Sequence, residues 1–168
     1  MMARMFRQIA VAALFLSAIL VSGARADQFN LTGTWTLQSM SFVDEATGKA
    51  TYDFGEHPKG YAIYTPGGYM SVLINAEGRQ PIPAASQNAT ELRAKLMTTM
   101  TAHAGPYRYS DGKLINQVQV AHDPRMVGQE LVRFIRVIDN NHYESTTPAT
   151  DTGNGKRVKV VLIWQRAA

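Results

Sequence analysis

The chain has 168 residues, 45% of them hydrophobic and none of them cysteine, which suits one domain that buries a core without disulfides or thiolate metal sites. Its formal charge of +4 does not mark a nucleic-acid binder. Arg4, Arg7 and Arg25 stand among the first 26 positions with no acid beside them, and the rest of the chain holds 14 basic against 13 acidic residues.

Those first positions read as a secretory leader. Arg4 and Arg7 precede an apolar run from Ile9 to Val21, and Ala24-Arg25-Ala26 offers small residues at both positions a signal peptidase reads. The run is short of the roughly 20 residues that span a bilayer, so no membrane span is expected in the mature form. Residues 1–26 are expected to be removed, leaving 27–168 as one domain, secreted or periplasmic, with no thiol available for lipidation.

The mature chain reads as strands punctuated by turns. Thr34 to Val43 is the first, followed by a polar loop from Asp44 to Pro58 long enough to cover an opening. Gly60 to Thr65 and Tyr69 to Asn75 then form a hairpin about Pro66-Gly67-Gly68. A two-residue connection at either dipeptide puts Tyr61, Ile63, Met70, Val72 and Ile74 on one face.

Two prolines and a glycine keep 76–87 out of any strand. Asn88 with Glu91 three residues on predicts a helix start, and Leu92, Leu96, Met97 and Met100 recur at helical spacing toward Gly105, a stripe expected to seal the fold. His103 then falls at the helix end.

Asp111-Gly112 marks a second hairpin of the type I′ kind, joining 106–110 to 113–122. Its register puts Tyr107, Tyr109, Leu114, Asn116, Val118, Val120 and His122 on the inner face. Strands at 130–138 and 142–147 flank the turn Asp139-Asn140-Asn141; Arg133 and Arg136 differ in parity, so the face of the first is ambiguous and a bulge or a lined opening is possible. Arg157 to Arg166 is the eighth strand, with Val158, Val160, Leu162 and Trp164 sharing a face.

Gly33-Thr34-Trp35 at the first strand and Arg166 at the last, with the run from Asp53 to Ser71 and the segment from Tyr107 to Gly128, resemble the bacterial lipocalin-like domain family over nearly all of the mature chain. The resemblance implies an all-β fold, an eight-stranded antiparallel calycin barrel with an interior cavity, here with one helix between strands 3 and 4. It also implies a barrel base in which Arg166 packs over Trp35. The chain departs from lipocalins proper in lacking a Thr-Asp-Tyr motif in its later half and in the position of its helix.

No catalytic or cofactor motif stands out. The four histidines are scattered without metal-ligand spacing, so neither metal nor cofactor is expected. His122-Asp123 is the one candidate acid/base pair, although neighbours on a strand point apart. The inward set Tyr61, Ile63, Met70, Val72, Tyr107, Tyr109, Leu114, Asn116 and Val118 is mainly apolar with a few hydroxyls and one amide, which suits a small apolar ligand. Charged ligands are expected to bind poorly, since no inward cation is assured. A carrier of such a ligand leads; a cavity enzyme using His122 or a tyrosine, and a filled barrel acting as an interaction module, are the alternatives.

Overall fold

The computed structural model describes residues 29–168 except Ala84 and Asn154. The expected leader lies outside the described residues. Eight antiparallel strands close a barrel: β1 (Gly33–Asp44), β3 (Lys59–Tyr64), β4 (Tyr69–Asn75), β5 (Met100–Ser110), β6 (Lys113–Gln117), β8 (Glu130–Asp139), β9 (His142–Thr146) and β11 (Arg157–Arg166) pair in that order. Pairing of β11 with β1 completes the circle, so no long edge is left to recruit another chain. Three two-residue strands, β2 (Ala50–Thr51), β7 (Val120–Ala121) and β10 (Thr150–Asp151), extend its rim. Among the described residues one α-helix, α1 (Ala89–Thr98), lies between the third and fourth long strands.

Alternation is interrupted by single extra residues, and these decide which side chains face inward. In β1, Trp35 and Leu37 are buried, then Met40; the partner register on β11 shifts between Leu37 and Ser39, leaving Gln38 exposed at a bulge. The first hairpin has a three-residue loop, not the expected two. Tyr64 pairs with Met70, the Gly68 N–H donates to the Thr65 carbonyl, and Gly68 takes φ +81°, a conformation glycine adopts without strain. One extra loop residue reverses the parity of β3 against β4. Ala62 and Tyr64 therefore face inward with Met70, Val72 and Ile74, while Tyr61 and Ile63 are 54% and 42% exposed on the outer wall, correcting their assignment to the interior.

The second hairpin has the expected tight turn, with Asp111 and Gly112 both at positive φ and Ser110 paired with Lys113. Tyr107 faces Asn116 across it, but farther along Ala104 faces Val120, one residue beyond that register. Val118 stays buried and Val120 turns 68% exposed, so the inner face assigned to 113–122 ends at the bulge. Gly105 sits against this kink, where an added Cβ would lie 2.0 Å from the Gln117 carbonyl oxygen.

The helix is shorter than its spacing predicts. It stops at Thr98, and Met100 to Gly105 join β5, where alternation places His103 inside the barrel. No residue of α1 is fully buried, so it lies against the wall near β5 and does not seal the barrel.

The base is an aromatic plug. Trp35 and Tyr143 meet edge to face with centroids 4.7 Å apart, and Phe29 and Trp164 pack against the same Tyr143 ring. The Trp35 indole N–H donates to the Leu31 carbonyl, satisfying its one polar atom in the core. Arg166 covers the ring from outside, its guanidinium carbon 4.1 Å from the centroid.

Candidate functional site

Above the plug the barrel is not filled. An interior cavity of ≈ 260 Å³ extends toward the opposite end, between β1, β3, β4, β5, β6, β8, β9 and β11. Met40, Phe42, Val72, Ile74, Val160 and Leu162 give it an apolar wall, and Trp164 closes it toward the plug. Phe54, from the segment between β2 and β3, and Met126, from the 3₁₀ turn η1 (Pro124–Met126), stand at its mouth. The Phe54 segment is held there by Glu77: the Glu77 N–H donates to the Phe54 carbonyl, and the His57 N–H donates to the Glu77 carboxylate.

The polar lining comes from Tyr64, Thr101, His103, Asn116, Arg133 and Ser145. The His103 ring has no protein partner: both its nitrogens are buried without a hydrogen bond, although buried polar atoms are ordinarily satisfied. The Asn116 side chain and, in the plug below, the Tyr143 hydroxyl lie beside the Tyr64 hydroxyl. Burial, with Arg133 and His122 adding to it, lowers the His103 pKa to about 4, so its ring is neutral near pH 7. Burial pushes the Tyr64 hydroxyl up to about 12 and Tyr143 well above its ordinary value, which keeps both as neutral donors.

Arg133 is the one interior charge among the described residues. Leu114 and Asn116 face inward on β6, and their cross-strand partners Arg133 and Leu131 must share that face. The guanidinium makes a single hydrogen bond, from Nη1 to the Val132 carbonyl at 2.9 Å. Burial lowers its pKa, yet a guanidinium stays protonated. On the outer surface Arg108, Arg125, Arg136 and Arg157 each reach a carboxylate, whereas no acid of the described residues pairs with Arg133.

No hydrogen bond links Ser145 to His103, so these two lining residues do not form a nucleophile and base pair. His122 lies outside the cavity, its Nδ1 3.1 Å from the Ala102 N–H that it accepts. Asp123, which the sequence offered as its partner, instead binds Arg125 side chain and backbone, and that contact lowers its pKa to about 2.

The description "lipocalin-like domain" matches residues 32–167, most of the chain. The chain belongs to the lipocalin-like domain family. The comparison with curated proteins gave no match. Among solved structures, a redesigned β-barrel aligns with a TM-score of 0.40 and 11% identity, covering 82% of this chain and 92% of its own.

In this lipocalin-like domain the expected lining residues separate into four groups. Val72 and Asn116 reach the cavity; Met70, Leu114 and Val118 are buried in the surrounding core. Tyr107 and Tyr109 point inward nearer the base, where they line a separate recess of ≈ 280 Å³ with Phe29, Asn30, Leu31 and Thr32. The Tyr107 hydroxyl donates to the Thr65 carbonyl. Tyr61 and Ile63 lie outside altogether.

Among the polar lining residues, sequence reasoning missed Tyr64, Thr101, His103, Arg133 and Ser145. A signal for Arg133 was present: Arg136 and Glu144 are opposite charges one short hairpin apart, and their outer ion pair at 2.6 Å puts Arg133, of opposite parity, inside. A larger depression of ≈ 520 Å³ lies outside the barrel between 77–83 and α1. Its lining is a loop and a helix with no buried residue, and Arg79 spends its Nη1 donors on the Leu96 carbonyl and Thr99 hydroxyl, so the interior is the better site.

Proposed function

We infer that this lipocalin-like domain is a carrier that takes a compact, mainly apolar small molecule into the barrel interior. The observation that carries the reading is an interior cavity with an apolar wall and a buried His103 ring left without protein partners. Apolar surface drives entry, at about 25 cal/mol per Å² removed from water, and the few polar atoms orient what enters. The cavity is below the roughly 300 to 1,000 Å³ usual for drug-sized ligands, which favours a small occupant. Among the described residues no helix is long and apolar enough to cross a membrane.

We further propose export: the leader composition supports a secreted or periplasmic carrier with its N-terminus at Asp27, and intact-mass measurement of the exported protein tests it. Binding is tested by titrating the neutral fluorescent probe N-phenyl-1-naphthylamine into the folded protein. Saturable, competable binding in the micromolar range or tighter is expected. Linear, unsaturable uptake would leave a structural module in place of a carrier.

A further inference from the structure

Arg133 is an uncommon thing to keep inside a barrel. Its guanidinium is partly buried in the cavity wall, makes one hydrogen bond to the carbonyl of its own neighbour, and meets no carboxylate of the described residues. A charge that loses part of its hydration without a counter-charge costs stability that an apolar side chain of similar size would not. In the same lining stand neutral polar groups: the His103 ring, whose two nitrogens lack partners, the Tyr64 hydroxyl, and the Asn116 amide, which can present its NH₂ by rotation. The His103 and Asn116 residues are 7% and 2% exposed, so the missing partners are not supplied at the surface. The sequence assured no inward cation, and Arg133 is one.

We propose that the ligand is an amphipathic carboxylate, with its carboxylate on Arg133 and its hydrocarbon or aromatic part against the apolar wall formed by Met40, Val72, Ile74, Val160 and Leu162. This rests on the carrier reading of the same cavity. The planar guanidinium offers paired donors that match the two oxygens of a carboxylate, a fit that neither an alcohol nor an amine reproduces. Neutral His103 and Tyr64 are within the same lining and can donate without adding a competing negative charge. A cationic ligand meets a like charge in a low-dielectric space and is rejected.

The test uses a matched series of one chain length, octanoate, octan-1-ol and octylammonium, each displacing N-phenyl-1-naphthylamine at pH 7 from the wild type, Arg133→Met and Arg133→Lys. In the wild type octanoate should bind ~10-fold or more tighter than octan-1-ol, as expected for hydrogen bonds to a charged group, and octylammonium weakest. Arg133→Met should remove the preference for octanoate while octan-1-ol binds as before, and Arg133→Lys should restore part of it. Equal binding of octanoate and octan-1-ol to the wild type, or a preference that survives in Arg133→Met, overturns the proposal. Should Arg133→Met not fold, the wild-type ranking alone decides. If the probe and octan-1-ol bind but octanoate gains nothing, the carrier reading stands and the carboxylate assignment falls; if none of the ligands binds, both fall.

Discussion

The Arg166 guanidinium lies 4.1 Å from the Trp35 ring centroid and at the same time donates to the carbonyls of Thr32 and Asn30 at 2.9 and 2.7 Å. One side chain thus ties the last strand, the first strand and the segment entering it into the barrel base. Gly33 makes room for it, since a Cβ there would stand 2.8 Å from Arg166 Nη1 on a backbone with φ +131°. The Gly-Xaa-Trp spacing is explained by this contact: the glycine admits the arginine and the tryptophan receives it.

Removing either partner should destabilise the domain, unequally. Trp35 is fully buried, so Trp35→Ala is expected to cost about 3 to 5 kcal/mol. Arg166→Ala should cost roughly 1 to 2 kcal/mol, the scale of a partly desolvated cation–π contact. Urea melts followed by tryptophan fluorescence measure both, and unchanged stability of Arg166→Ala would remove the contact from the account.

Gly105→Ala should be worse than alanine at a glycine with open space around it. The added methyl meets the Gln117 carbonyl oxygen at 2.0 Å, whereas at Gly128 nothing lies within 4 Å and only the positive φ opposes alanine. Overpacking costs typically 1 to 3 kcal/mol or more, while a backbone misfit alone costs about 1 kcal/mol. Equal melting midpoints for the two variants would mean that β6 can move away freely.

Both of these contacts bear on what could be read from the chain. Strand number, helix position and the base residues were legible, because each rests on local composition: hydrophobic alternation, Gly and Pro punctuation, and the Gly33, Trp35 and Arg166 set. Facing was legible only as far as registers hold. The three-residue loop at Pro66-Gly67-Gly68 and the extra residue between Gln117 and Val120 each add one position, and one position exchanges inside for outside. That is why Tyr61, Ile63 and Val120 are exposed while Leu114 and Asn116 are buried as expected. His103 was hidden differently, by a helical stripe that ends at Thr98 and gives way to a strand without a turn glycine or proline between.

His103 should make stability depend on pH. Its pKa in the folded protein is about 4, against an ordinary 6.5, chiefly because burial disfavours the charged ring. The unfolded chain therefore takes up this proton first as pH falls. The contribution of the neutral ring is complete above pH 6.5 and is lost as pH falls from 6.5 to about 4. Between pH 7 and 4.5 the loss amounts to roughly 2 to 3 kcal/mol. Urea midpoints at the two pH values should differ less in His103→Leu than in the wild type, and an equal difference would mean that the ring is hydrated in the folded state.

Filling the cavity should block binding without unfolding the barrel. Ser145 and Val160 both line it, so Ser145→Phe or Val160→Phe is expected to abolish saturable probe binding, while Tyr61→Ala, on the outer wall, should leave it unchanged. Overpacking is expected to cost about 1 to 3 kcal/mol, so circular dichroism must accompany the titrations. Loss of binding in Tyr61→Ala alone would move the site to the outside of the barrel.

The most direct test of the interior as the binding site is a crystal structure of the protein grown with N-phenyl-1-naphthylamine. The account predicts its density between Val72, His103, Arg133 and Leu162, above the Trp164 ring. Density in the groove between 77–83 and α1, with the barrel interior closed by its own side chains, would contradict it.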